Sequence, residues 1–316
     1  MKRTTKIALA AGLISAFTLA AFPLGTLVRE QILNRKAQTL LDGMTTEEKI
    51  GQVLLMNFRS WGTDAEGNPL PLEECNDTIR GIIGTYHLGN IILFGENVRD
   101  TEKAVRLVDD FQQSANQPLL IGIDQEGGIV TRLGQGTCLP GNMALGASGK
   151  AKNARLAGRL MGEELSAIGV NCNFAPVCDV NDNLQNPVIH LRSFSSDPNT
   201  VATMATALRE GLGEAGMISA AKHFPGHGNT SVDTHVGLAV VNRSRTEWDA
   251  VEAVPFRTMI KDGVEMIMSA HIQYPQLDAT TYRSQLSGKE VILPATLSHK
   301  ILTDILRGEL GFDGVV

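Results

Sequence analysis

The sequence predicts an α/β fold, a TIM-like (β/α)8 barrel that is truncated at its C-terminal end. Three observations carry this. Short β-rich apolar runs alternate with segments of helical periodicity, the pattern of a parallel sheet covered by helices. Several of those runs end in ionisable side chains: Asp124 closes PLLIGID, Lys222-His223 closes SAAKH, and His271 closes VEMIMSAH. In a (β/α)8 barrel such strand ends converge on the active-site face. Finally, Gly311-Phe312-Asp313-Gly314-Val315-Val316 is a helix stop leading into a strand with no helix after it.

Composition narrows the function classes. The 316 residues hold 28 Lys+Arg against 34 Asp+Glu, with 43% hydrophobic and 20% charged residues, which are globular values. The net charge of −6 and the lack of Lys/Arg clusters argue against nucleic acid as a partner. The 32 glycines show no collagen period and are expected at strand and helix ends.

Residues 1–28 read as an export signal or a membrane anchor. Lys2, Arg3 and Lys6 form a basic start, and Ile7–Val28 carries no charge. That stretch suits a cleavable signal, with Thr18-Leu19-Ala20 as a loose cleavage context. It also meets the ~20 residues needed to cross a bilayer. Either reading places the rest outside the cytoplasm, secreted or held at the outer membrane face through residues 7–28. No Cys follows the apolar run, so a lipidated N-terminal Cys is not expected.

Residues 29–316 form the barrel region. Its expected strands are Gly89–Phe94, Pro118–Asp124, Val170–Val177, Ser219–Phe224, Val264–His271 and Gly314–Val316. Its expected helices are Thr101–Ala115, Asn153–Ile168, Thr200–Glu214, Glu247–Lys261 and Ala295–Leu310. In the first helix Thr101 is a candidate N-cap, and Ala104, Leu107, Val108 and Phe111 share one stripe. No GxGxxG follows the first strand, which disfavours a dinucleotide-binding sheet. Cys75, Cys138, Cys172 and Cys178 are too few for a disulfide scaffold and fit no zinc spacing. Cys172 and Cys178 are expected on one face of one strand, as buried thiols.

Four segments carry chemistry. In Asp124-Gln125-Glu126-Gly127-Gly128 through Arg132, Asp124 suits hydroxyl recognition and the glycines admit a close ligand. In His190-Leu191-Arg192-Ser193-Phe194, Arg192 is a planar fork for hydroxyls or carboxylates. The segment Ala221 to His235 holds Lys222, three His and Asp233. Pro225, Gly226 and Gly228 there exclude helix, so a strand runs into a long loop. Asp233 and His235 are close enough for the carboxylate to orient the imidazole. A solvated loop, or a metal site from His223, His227, Asp233 and His235, is the competing reading; an adjacent Lys222 ammonium disfavours a cation. In the fourth segment, Asp313 precedes the last strand and falls at the structural end of the barrel.

Together DQEGGIVTRLG, NPVIHLRSFSSDP, AKHFPGHGNTSVDTH and GFDGVV resemble family 3 glycoside hydrolases, and within them the bacterial β-N-acetylglucosaminidases. The likeness runs in order from about Leu40 to Val316. It implies a TIM-like barrel, removal of terminal β-linked N-acetylglucosamine by a retaining mechanism, and no cofactor or metal. By the same likeness, Asp124, Arg132, Arg192, Lys222 and His223 bind the sugar. His235 is the general acid/base and Asp233 orients it. The family's nucleophile is an Asp shortly after the GF-x-GVV strand, where this chain stops, so the resemblance implies a fragment that is inactive without it. The family usually has Asp after GHG; Asn229 stands here and removes a charge.

The leading expectation is an exported exo-acting enzyme working on peptidoglycan fragments or chitin oligomers. The alternatives are a metal-dependent hydrolase, a non-catalytic sugar-binding module, and a phosphorylase.

Overall fold

The computed structural model describes residues 31–231 and 238–316, so the expectations for residues 1–28, Asp233 and His235 lie outside the described residues. The chain divides into two compact units, Met1–Val53 and Leu54–Val316. In the described part of the first unit, helix α1 covers 31–43 and α2 covers Thr46–Val53. Thr45 and Glu48 cap α2 reciprocally: Thr45 N donates to Glu48 Oε2, and Glu48 N donates to Thr45 Oγ1. Among the described residues, no helix is long and apolar enough to cross a membrane.

The second unit opens with β1 (Leu55–Asn57), a small hairpin of β2 (Ser60–Thr63) and β3 (Pro69–Pro71), and α3 (Asp77–Thr85). There follow β4 (Asn90–Leu93), α4 (Thr101–Ser114), β5 (Leu120–Ile123), α5 (Asn142–Ala147), α6 (Ala151–Ala167) and β6 (Cys172–Asn173). Next come α7 (Pro198–Glu214), β7 (Ile218–Phe224), β8 (Ala239–Val240), α8 (Arg245–Ala250), α9 (Ala253–Lys261), β9 (Met266–Ser269) and β10 (Ile272–Gln273). The hairpin of β11 (Thr281–Arg283) and β12 (Glu290–Ile292) precedes α10, a π-type helix at Lys300–Glu309. Six strands form one parallel sheet in the order β1-β4-β5-β6-β7-β9. Val315 bridges Met266 in parallel beyond β9. This run of parallel strands separated by helices is a TIM-like (β/α)8 arrangement.

The pleat sorts apolar side chains into two layers. Ile91, Leu93, Ile121, Ile123, Ala221 and Ile267 join the main core with the helices. Cys172, Phe174 and Ala220 form an inner cluster against Ile92, Leu120, Ile218, Met266 and Met268. Burial of both faces is why these strands read as near-continuous apolar runs. Gly122 leaves room for the Phe174 ring, which would lie 2.6 Å from a Cβ there.

Several boundaries differ from expectation, each for a local reason. The N-cap of α4 is Asp100, whose carboxylate accepts from Lys103 N at 2.9 Å. The single helix expected over Glu247–Lys261 is two, because Pro255 cannot donate to a preceding carbonyl and is tolerated only in a first turn. Ser244 and Glu247 build a capping box that starts the first of them. The run Val170–Val177 is strand only at Cys172–Asn173. Cys172 therefore packs in the inner cluster and Cys178 in the main core, not on one shared face. Both thiols are free and fully buried.

Not all glycines mark element ends. Gly158 and Gly211 sit inside α6 and α7, where a Cβ would meet Leu208 O at 2.1 Å and Arg155 O at 2.0 Å. Their bare backbones let the two helices cross in direct contact.

Candidate active site

The site is assembled at the C-terminal ends of the strands. Where β5 ends, Asn173 of β6 grips the next residues through both amide atoms. Its Oδ1 accepts from Gln125 N at 3.0 Å, and its Nδ2 donates to Gln125 O at 2.8 Å. This clamp sets Asp124 and Glu126 on either side of Gln125. The chain then doubles back, with Glu126 N donating to Val130 O at 2.9 Å. Gly128 has a φ of +58°, and a Cβ there would fall 2.6 Å from Gly141 Cα, so the turn requires glycine. Gln125 Oε1 accepts from Arg132 N at 2.7 Å and brings Arg132 back to the same end.

Lys222, near the end of β7, is almost fully buried. Its Nζ lies 2.6 Å from Asp124 Oδ1 and 2.7 Å from Glu126 Oε1. Arg192 follows the loop after β6 and binds Glu126 with two contacts, Nε to Oε2 at 2.8 Å and Nη2 to Oε1 at 2.7 Å. Asn142 Nδ2 donates to Arg192 O at 2.8 Å and fixes that loop. Burial alone pushes the Glu126 carboxyl up. Lys222 and Arg192 outweigh it and hold the group at about 2.

His223 is oriented from behind by Asp179, a fully buried carboxylate. Asp179 Oδ2 lies 2.6 Å from His223 Nδ1, while Oδ1 accepts from His227 N at 2.7 Å and His223 N at 3.2 Å. Burial pushes Asp179 up, but His223 and His227 draw it below the ordinary carboxylate range. His227 is itself buried, which lowers its basicity against the pull of Asp179; its Nδ1 pairs with Thr230 Oγ1 at 2.7 Å.

One cavity of about 470 Å³ opens among these groups, within the ~300–1,000 Å³ range of small-molecule sites. Asp124, Arg132, Arg192, Lys222 and His223 all line it, with Val188, Met268 and His271 among the other wall residues. The five binding residues expected from sequence are thus brought together. Asp233 and His235 lie outside the described residues. Asp313 is not among the lining residues. Among the described residues, no group of three His, Cys, Asp or Glu side chains is arranged to hold a metal ion.

Two members escaped the sequence reading. Glu126 lay within the quoted DQEGG motif but had no assigned part; it is the anion that Lys222 and Arg192 share. Asp179 stands two residues past the expected Val170–Val177 run and had no assigned part; it is the carboxylate behind His223. Asp124 and Glu126 line the cavity with Arg132, Arg192, Lys222 and His223, a set of acceptors and donors suited to a polyhydroxylated ligand, while Asp179 lies behind His223.

A second acidic group lies outside the cavity. Glu252 has a fully buried side chain. Arg243 Nε approaches Glu252 Oε1 to 2.7 Å, but off the line of a hydrogen bond, and both carboxylate oxygens lack an aligned donor. Burial pushes Glu252 up to about 7 against the pull of Arg243.

Comparison with known proteins agrees with this architecture. Residues 45–316 match the family described as glycosyl hydrolase family 3 N terminal domain. The chain is 40% identical over 291 residues to beta-hexosaminidase A of Pseudoalteromonas piscicida, covering 86% of this chain and 48% of that protein. It is 38% identical over 260 residues to a beta-hexosaminidase of Tolumonas auensis, covering 80% and 71%. The chain therefore spans about half the length of the first relative. Among solved structures, a family 3 beta-N-acetylglucosaminidase from Paenibacillus superposes with a TM-score of 0.77 at 40% identity, covering 86% of this chain and 49% of that one. NagZ from Neisseria gonorrhoeae, in complex with N-trifluoroacetyl-D-glucosamine, gives 0.71 at 32%, covering 83% and 72%. The chain belongs to glycoside hydrolase family 3, through the N-terminal domain of that family.

Proposed function

We propose that this chain carries the sugar-binding subsite and the acid/base loop of a retaining exo-β-N-acetylglucosaminidase. The observation that supports it most is the shared cavity of Asp124, Arg132, Arg192, Lys222 and His223. In this reading, carboxylate oxygens accept from sugar hydroxyls, while Lys222 and the guanidinium groups donate to hydroxyl and acetamido oxygens. His235, oriented by Asp233, protonates the leaving oxygen as an Asp carboxylate downstream of Val316 attacks the anomeric carbon. The same imidazole, now neutral, takes a proton from water as that water displaces the carboxylate. The two inversions give net retention. A His near its ordinary pKa of ~6.5 serves both steps close to neutral pH.

The substrate class is terminal N-acetylglucosamine on peptidoglycan fragments or chitin oligomers, acted on outside the cytoplasm after export through residues 7–28. The test uses the complete product of the reading frame with a chromogenic N-acetylglucosaminide. Hydrolysis with retention, reduced about 10²–10⁴-fold by His235→Ala, is the expected result. No turnover by the complete protein refutes the proposal. Running the assay with and without phosphate separates hydrolysis from phosphorolysis.

A further inference from the structure

We infer that Asp182 is a positioning residue that joins the two stems of the loop between His227 and Arg243. The inference rests on the reading that this loop carries the acid/base. One carboxylate receives both stems. On the incoming side, Asn229 Nδ2 donates to Asp182 Oδ1 at 2.8 Å. On the outgoing side, Arg243 Nη2 pairs with Asp182 Oδ2. No other side chain among the described residues holds both 229 and 243.

Neighbouring contacts make the junction a defined one. Asn183 Nδ2 donates to Thr230 O at 3.1 Å, and Asn186 Nδ2 donates to His227 O at 2.8 Å. The segment 182–186 therefore lies along the incoming stem. Downstream, Val241 N donates to Gln273 O at 2.9 Å. Arg243 reaches past Asp182 to Glu252 Oε1 at 2.7 Å. Glu252 in turn supports the first turn of the loop, since a Cβ at Gly226 would lie 2.5 Å from its Cγ.

Charge decides which residues suit this junction. Asp182 offers one negative charge to one guanidinium and one amide, so Asn229 satisfies an oxygen without adding a second carboxylate. The Asp182 and Arg243 side chains are 28% and 16% exposed. A single ion pair at the rim of the fold is not what holds the whole chain folded. What the junction sets is where the stems sit, and a displacement of ~1 Å at a reacting group is enough to reduce rate as much as 10²-fold.

The test compares Asn229→Asp, Asp182→Asn and the exchanged pair Asp182→Asn/Asn229→Asp in the full chain. Amide hydrogen exchange is followed over residues 227–231 and 238–243, with melting temperature as the control. Asn229→Asp sets two carboxylates together and is expected to speed exchange in both stems by about fivefold or more. The exchanged pair restores one carboxylate and one amide and returns exchange to within about twofold of wild type. Unchanged exchange in Asn229→Asp, or an exchanged pair no slower than the single variants, overturns the inference. In the chromogenic assay on the complete protein, Asn229→Asp is expected to lower kcat about tenfold with KM within about twofold. An unchanged kcat also overturns it. Absence of turnover in the wild type is a failure of the functional reading, and exchange alone then decides the role of Asp182.

Discussion

Arg192 and Glu126, 66 residues apart, meet in a two-contact pair at 2.8 and 2.7 Å with the carboxylate 1% exposed. Lys222 completes the group from β7, two strands from β5 in the sheet. A buried carboxylate with two cations is stable only while all three are present, because removing one leaves uncompensated charge in a low-dielectric site. Glu126 thus holds in place two residues that also line the cavity.

Glu126→Ala is accordingly expected to destabilise the fold by about 3–5 kcal/mol, the usual range for breaking a buried pair. Urea denaturation of purified variants measures this. A loss below about 1 kcal/mol would falsify the central place given to Glu126.

Stability should respond to pH through two groups of opposite sign. Glu126 titrates at about 2 in the fold against ~4.3 unfolded. Its contribution is present above ~4.3 and is lost as pH falls toward about 2. Glu252 titrates at about 7, so the fold binds its proton more tightly than the unfolded chain does. Stability from Glu252 is full below ~4.3 and declines as pH rises to about 7. The groups acting on it are Arg243, Asp182 and Asp179. Denaturation of wild type and Glu252→Gln across pH 4.5–8 should show a shallower decline in the variant; parallel curves would mean that Glu252 does not set the pH dependence.

Lys222→Met leaves Asp124 and Glu126 without their shared cation. N-acetylglucosamine affinity is expected to fall by at least about tenfold, as for the loss of one charge-assisted contact of ~1.5–3 kcal/mol. Calorimetric titration checks this, with circular dichroism confirming the fold. Binding within about twofold of wild type would place the sugar elsewhere.

Two glycines in α7 should behave oppositely. In Gly211→Ala the new Cβ meets Arg155 O at 2.0 Å, and separating the helices should destabilise by about 1–3 kcal/mol. Gly213→Ala adds a methyl with nothing within 4 Å and should stabilise by about 0.5–1 kcal/mol through lower unfolded-state entropy. Melting curves of the two variants decide it, and equal shifts of the same sign would contradict the close packing of α6 on α7.

Periodicity and strand-end chemistry were legible because they are local. The alternation of apolar strands with amphipathic helices, and Asp124, Lys222 and His223 at strand ends, follow from the chain's own pattern. Arg132 and Arg192 were reached through motif resemblance, since a lone Arg in a polar loop carries no positional signal. Asp179 was missed because a lone acid past the end of an apolar run carries no sign of the histidine it will meet. The break between α8 and α9 was readable from Pro255, yet the amphipathic pattern masked it.

By itself the sequence determined the parallel α/β class, the alternation of its elements and the residues from which the cavity is drawn. Tertiary structure alone decided the pairings: Lys222 between Asp124 and Glu126, Asp179 behind His223, and Asp182 between Asn229 and Arg243. The physical reason is range. Side-chain period and capping act over a few residues, whereas an ion pair depends on where register and helix crossings bring charges together. Those crossings rest on features with no periodic signature, such as Gly158 facing Leu208 and Gly211 facing Arg155.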